Sequence, residues 1–296
     1  MVKVALIGQG YWGSKVLAAI EKNPAIDKVQ VIDLRLGNSI SDIDPDIDCA
    51  FITTPIPDHI PTATALLSRG IDCYIEKPLA ETAAECQQLL QYQPERIIMV
   101  GHIFMYHPAL ALVKEHMLHI GKIKHVVSER LNWGIYQTKT SPLHSLLTHD
   151  ASIINDLFAE DITVTSALAY NFSNNSVPDK VEFQARAGDV TISVRGSWYW
   201  PERVRKLTVI GTAGQIVWDD TNNQVTVYTG SVSDGKLSQL TRQDYTVNLT
   251  VTPLEAEVNH FIECVQSRQQ PWTGCDNAIA VADILDAVTQ CLRSDQ

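Results

Sequence analysis

No two of the six cysteines stand in a C-x-x-C spacing. Cys49, Cys73, Cys86, Cys264, Cys275 and Cys291 fall mostly within strand-like or helix-like runs, so we expect reduced, partly buried thiols and no disulfide framework. Cationic residues are scarce: 23 Lys plus Arg against 34 Asp plus Glu leave a net charge of −11. Such a field repels phosphate backbones and anionic lipid surfaces, which excludes nucleic acid as an expected partner. No apolar run approaches the length of a membrane span, and no repeat, low-complexity tract or long flexible linker interrupts the chain. Metal-ligand spacing is missing as well. His116 with His119 is only an i, i+3 pair on a helix face polar enough to be solvated, so no metal is expected. Residues 1–7 run directly into a glycine-rich turn and leave no room there for a signal-peptide apolar region, which points to a cytoplasmic protein.

The 296 residues, 45% apolar and 19% charged, suffice for two domains of ordinary size and give no sign of widespread disorder. Over the first hundred, β-branched runs at 2–7, 29–33, 49–53, 71–76 and 97–100 read as buried strands. Helical periodicity fills 11–22, 59–69 and 83–92, the last opened by the capping-box pattern Thr82-Ala83-Ala84-Glu85. That alternation predicts a doubly wound parallel sheet. After a helix over 108–119, strands follow one another at 123–130, 162–170, 180–187 and 190–198. Gly188-Asp189 and Asn222-Asn223 mark hairpins, the second between 214–219 and 225–228. The expected fold class is α/β plus α+β: a Rossmann domain over 1–121, then a mostly antiparallel open sheet with helices over 122–296. Helices at 254–267 and 276–292 pack either on that sheet or back onto the first domain.

Gly8-Gln9-Gly10-Tyr11-Trp12-Gly13 follows the first strand at once and opens the first helix, the context a dinucleotide fingerprint requires. Gly8 permits the tight turn, Gly10 a close approach of pyrophosphate, and Gly13 close helix-to-strand packing, with the helix N-terminus facing the anion. Asp33 lies twenty residues beyond Gly13, where a carboxylate can accept hydrogen bonds from the adenosine ribose. That carboxylate would repel a 2′-phosphate, so NAD is expected over NADP, although Arg35 nearby softens the repulsion. Thr53-Thr54-Pro55 and Glu76-Lys77-Pro78 close two further strands at the carboxyl edge of the sheet, where open α/β folds bind ligands. Tyr11, Trp12, Thr53, Thr54, Pro55, His59, Glu76 and Lys77 therefore join Gly8, Gly10, Gly13 and Asp33 as candidate cofactor contacts.

Thr54-Pro55 with His59, followed by Glu76-Lys77-Pro78, resembles the Gfo/Idh/MocA oxidoreductase family. So do Val100-Gly101-His102, Tyr106-His107-Pro108, Arg130-Leu131-Asn132, Leu147-Thr148-His149-Asp150 and the segment 274–288. The resemblance implies hydride transfer between a substrate carbon and a nicotinamide, with Lys77 and His149 as catalytic residues handling the hydroxyl proton. It places Lys77, His102, Arg130, Asn132, Ser145 and His149 around a small-molecule substrate and implies a homo-oligomer formed through the C-terminal sheet. An imidazole is suited to accept that proton near neutral pH, and a lysine to stabilise alkoxide charge.

One departure stands out. Many relatives carry an aspartate four residues before the histidine, and here that position is Ser145. A hydroxyl cannot supply the missing charge, which leaves Asp150 and His144 to support His149. Residues 99–108 and 130–134 resemble UDP-N-acetylglucosamine-type sugar-nucleotide dehydrogenases more than inositol dehydrogenases. Arg203, Arg205 and Lys206, with Arg130, supply cations for a diphosphate, while Trp133 and Tyr136 could pack on a sugar or base. The alternatives are a dehydrogenase of a free sugar or polyol such as inositol, a reductase running in the opposite direction, and a non-catalytic dinucleotide-binding regulator.

Overall fold

The computed structural model describes residues 1–134, 137–233 and 235–294; Tyr136 lies outside them. The chain forms two compact units, each assembled from two segments. Met1–Tyr106 joins Val251–Asp283 in the first, and His107–Thr250 joins the chain from Ile284 onward in the second.

In the first unit β1 (Val2–Ile7), α1 (Tyr11–Ile20), β2 (Ile26–Ile32), β3 (Cys49–Ile52), α2 (Ile56–Leu67), β4 (Asp72–Glu76), α3 (Ala83–Cys86) and β5 (Ile98–Gly101) succeed one another. The five strands pair in parallel in the order β2-β1-β3-β4-β5, the expected doubly wound sheet. Alternation along β1 sends side chains to two cores. Val4 and Leu6 meet Val16, Phe51, Tyr74 and Phe261, whereas Ala5 and Ile7 meet Ala63, Leu66, Leu79 and Cys275. With both faces covered, the strands are apolar throughout rather than alternating. Burying a side chain such as Phe51, Leu66 or Phe261 stabilises the fold by roughly 1.5–3 kcal/mol each.

The helix expected over 83–92 is α-helical only through Cys86 and continues as a 3₁₀ helix over Gln87–Tyr92. The Thr82–Glu85 capping box does form. Its buried residues are Ala83, Cys86 and Leu89, with Tyr92 partly buried behind them, and that spacing of three suits the 3₁₀ turn better than the 3.6-residue one.

The second unit contains α4 (Pro108–Met117), β6 (Ile123–Trp133), α5 (Thr148–Leu157), β7 (Ile162–Tyr170), β8 (Lys180–Ala187), β9 (Val190–Ser197), β10 (Tyr199–Gly211), β11 (Gly214–Asp219), β12 (Gln224–Thr229), β13 (Val232–Ser233), β14 (Lys236–Leu237) and β15 (Thr241–Thr246). Eight strands form one sheet in the order β15-β12-β11-β10-β6-β9-β8-β7. Every pairing is antiparallel except β6 with β9. Gly188 and Asn223 take φ of +54° and +52° in the two expected hairpins. On β8, Val181, Phe183, Ala185 and Ala187 point into the core and alternate with less buried polar residues, as a sheet covered on one face demands. The chain ends with α6 (Pro253–Ser267) in the first unit and α7 (Cys275–Ser294), which begins there. No helix among the described residues is long and apolar enough to cross a membrane.

Candidate functional site

The first sheet reverses its winding between β1 and β3, and the carboxyl ends of these strands hold Gly8 and Thr53. Such a switch point is where open α/β sheets bind ligands. Gly8 has φ of +94°, and a Cβ there would sit 3.1 Å from the Thr53 backbone. A Cβ on Gly13 would lie 2.1 Å from the Gly8 carbonyl oxygen, a clash no side chain survives, whereas one on Gly10 would meet nothing within 4 Å. The close helix-to-strand approach and the open approach face are thus both present. Thr53 Oγ1 donates to the Gly8 carbonyl. Gly10 caps α1 without a side-chain hydrogen bond, so no side chain of the cap competes for the amides of the first turn. Thr54 Oγ1 is buried and has no hydrogen-bond partner among the described residues. This set of features fits a dinucleotide: Gly8, Gly10 and Gly13 would hold the pyrophosphate and Asp33 the ribose.

Asp33 does not stand alone. Its carboxylate accepts from Arg35 Nε at 2.9 Å, from Arg35 Nη2 at 2.6 Å and from the Arg35 amide at 3.0 Å. Arg35 also reaches the Gln9 carbonyl at 3.3 Å. The Arg35 side-chain hydrogen bonds hold the Asp33 carboxyl below the usual carboxylate range.

His59, expected among the cofactor contacts, is fully buried and sits behind them. Its Nε2 lies 2.8 Å from the Thr54 carbonyl and its Nδ1 3.0 Å from that of Pro78, so the ring ties the two strand-end turns together. Burial lowers its pKa. Glu76 is also buried; its Oε1 accepts from the Trp12 indole N–H and its Oε2 from the Lys77 amide at 3.2 Å. His102 is 1% exposed, and neither ring nitrogen has a hydrogen-bond partner among the described residues. Its pKa falls to about 3, by burial first and by the Lys77 charge second.

The remaining candidates belong to the second unit. Arg130 and Asp150, both buried, pair at 2.7 Å, and Asp150 also accepts from Ser128 at 2.7 Å. Asp150, which the sequence offered as a possible support for His149, is thus committed to Arg130 and Ser128. Asn132 Oδ1 accepts from Arg205 Nη2 at 3.3 Å, while Arg205 Nη1 is buried without a hydrogen-bond partner among the described residues. Desolvation, then the Arg130 charge, lowers the Arg205 pKa to about 10. Ser145 Oγ donates to the Ser141 carbonyl at 2.7 Å within a π-helical turn, Leu143–Leu147, that leads into the helix carrying His149. Such turns cluster at functional sites. Trp133 is 67% exposed and leans on Tyr199, ring centroids 4.7 Å apart. His116 and His119 lie edge to face at 6.4 Å.

Two residues behind the site escaped the sequence reading. Tyr74 donates or accepts between Glu76, at 3.0 Å, and Glu257 of α6, at 2.9 Å. The available signal was a glutamate on the buried stripe of α6, beside Val258 and one turn before Phe261.

Residues 38–102 match the model of the oxidoreductase family with an NAD-binding Rossmann fold, Gfo/Idh/MocA. Over this segment the chain is similar to the Gfo/Idh/MocA family. The matched stretch covers Thr53 to Pro55, His59, the Glu76-Lys77-Pro78 motif and His102, and begins after the glycine fingerprint and Asp33. Inositol 2-dehydrogenase of Acidothermus cellulolyticus is 27% identical over 181 residues, 56% of this chain and 52% of that protein. The chain spans about half the length of the curated relatives it matches. In fold, the chain is similar to UDP-N-acetylglucosamine 3-dehydrogenase GnnA from Acidithiobacillus ferrooxidans, with a TM-score of 0.86 at 17% identity, covering 99% of this chain and 98% of that one. Levoglucosan dehydrogenase in complex with NADH and levoglucosan gives 0.82 at 19% identity, covering 100% and 98%. These likenesses show that the chain shares the fold of those proteins across nearly its whole length.

Proposed function

We propose that the protein is an NAD-dependent dehydrogenase that oxidises a ring hydroxyl of a sugar, preferably one linked to a nucleotide, and that it works in the cytoplasm. The observation that carries this reading is the glycine turn at the switch point, with Asp33, the unpartnered Thr54 hydroxyl and Lys77 on the same carboxyl edge. When bound, the nicotinamide supplies the hydride-accepting carbon. Lys77 holds the substrate hydroxyl and stabilises the alkoxide charge as it develops. His149 accepts the hydroxyl proton, the role for which an imidazole near neutral pH is suited. His102, neutral beside Lys77, lines the hydroxyl's surroundings without adding charge. Arg205, with its unpartnered Nη1, supports the nucleotide-linked substrate class, because a guanidinium in that state favours a phosphate oxygen. The relative UDP-N-acetylglucosamine 3-dehydrogenase is consistent with an amino sugar, and inositol 2-dehydrogenase with a free polyol.

A panel of UDP- and dTDP-linked hexoses, with free glucose, inositol and levoglucosan, each assayed for NADH formation, tests the proposal. Turnover is expected with a nucleotide-linked hexose, and Lys77→Ala or His149→Asn should lower it by roughly 10²-fold or more while leaving NAD affinity nearly unchanged. Turnover of a free polyol alone would move the substrate class. Ser145, in place of the usual aspartate, favours a second reading, a dinucleotide-binding regulator; NAD binding without turnover of any panel member is its expected result.

A further inference from the structure

Beneath the Lys77 turn, two buried carboxyls share one phenol. Tyr74 Oη lies 3.0 Å from Glu76 Oε1 and 2.9 Å from Glu257 Oε2, and Tyr74 and Glu257 are fully buried. A phenol has one proton and can donate to only one of these oxygens. The other short contact requires a proton on a carboxyl, since two unprotonated oxygens at that distance repel.

The surroundings decide which carboxyl carries it. Burial raises the Glu76 pKa, but Glu76 receives the Trp12 indole N–H and the Lys77 amide in addition to Tyr74, and these hydrogen bonds with the Lys77 charge all act to favour its ionised form. Among the described residues Glu257 makes its hydrogen bond to Tyr74 through Oε2, and its Oε1 finds no partner. We propose that Glu257 is a neutral carboxylic acid that donates to Tyr74, so that Tyr74 donates to an ionised Glu76 and positions it as the clamp between the glycine-rich turn and Lys77. Burial pushes Glu257 well above the usual carboxylate range, and the Glu76 charge pushes it further. Tyr74 is likewise pushed up by burial and by both carboxyls, so the phenol keeps its proton. Of the other titratable groups facing the cluster, Tyr106 is raised by burial, with Glu257 adding to it, and the Lys77 charge acts on Glu76.

Tyr74 and Glu257 are positioning residues. They act through Glu76, the carboxylate that accepts from both the Trp12 indole and the Lys77 amide. Naming Lys77 as the group positioned rests on the proposed activity; the proton assignment does not.

Infrared spectroscopy of the full chain at neutral pH tests the assignment without substrate. A protonated carboxylic acid C=O band is expected in the native protein and should vanish in Glu257→Gln. Its absence from the native protein, or its persistence unchanged in the variant, overturns the proposal. NADH titration by tryptophan fluorescence gives the second readout. Glu257→Gln, whose amide can donate to Tyr74 as the acid does, should keep NADH affinity within about threefold, while Tyr74→Phe should weaken it about tenfold or more, the equivalent of one lost hydrogen bond to a charged group. Full affinity in Tyr74→Phe, or a tenfold loss in Glu257→Gln, would count against the relay. Failure of every sugar in the substrate panel would leave both readouts standing.

Discussion

At the scale of single residues, the proposed preference for NAD rests on one ion pair. Asp33 opposes a 2′-phosphate by its charge, and Arg35, bidentate on Asp33 with a side chain 69% exposed, is free on its outer side to turn toward one. NAD should bind about tenfold more tightly than NADP, a difference near 1.4 kcal/mol. Arg35→Ala should widen the gap, since it removes the cation paired with the carboxylate and leaves the repulsion unscreened. Titration calorimetry with both cofactors checks this; an Arg35→Ala variant that binds NADP better than the native protein contradicts it. Arg35 was legible as a neighbour of Asp33, but the bidentate grip depends on χ angles that only packing sets.

At the scale of elements, α6 is anchored at its start. Thr252 Oγ1 accepts from the Glu255 amide at 3.2 Å, the Glu255 carboxylate accepts from the Thr252 amide at 2.9 Å, and Lys22 at the end of α1 pairs with the same carboxylate. Thr252→Ala should destabilise the protein by about 1 kcal/mol, the usual cost of a lost N-cap, and thermal or denaturant unfolding measures it. The Lys22 hydrogen bond, then those of Thr252, holds the Glu255 carboxyl down at about 2. Because the folded pKa lies below the unfolded value, the stabilisation is present above the ordinary carboxylate pKa of 4.5 and is lost as pH falls from there toward about 2. The stability gap between native protein and Glu255→Gln should therefore close over that window. A gap that stays constant down to about pH 2 would remove the carboxylate from the account. Capping boxes at Thr82 and Thr252 are four-residue patterns visible in sequence. The switch to 3₁₀ geometry after Cys86 is not, because it follows from which side chains the core accepts.

At the scale of the whole molecule, the eight-stranded sheet and the turn after β7 present a run of exposed and half-buried rings. Trp133, Tyr199, Phe172 and Tyr170 touch in series, with centroids 4.7, 5.7 and 5.9 Å apart, and Trp133 and Phe172 are more than half exposed. Aromatic residues so placed are typical of association surfaces, which supports the proposal that copies of the chain associate through this sheet. Sedimentation equilibrium should find a dimer or larger assembly at micromolar concentration, and Phe172→Ala with Tyr199→Ala should weaken it at least about tenfold. A monomer across the accessible range would end the proposal.

Local signals determined much of this protein from sequence alone: the parallel strands, the glycine turn that only Gly8 and Gly13 can fill, the two hairpins, the ends of β3 and β4, and the resemblance to the Gfo/Idh/MocA family. Each is legible because a steric or periodic requirement acts within a few residues. What the tertiary structure decided is long-range pairing. Whether α6 would return to the first unit was open in the sequence, and its return brings Glu257 against Tyr74 across 183 residues of chain. The commitment of Asp150 to Arg130, and of His59 to two backbone carbonyls, likewise followed from which groups were buried together. Burial makes a polar group find the nearest partner, and that partner is set by the packing of elements rather than by spacing along the chain.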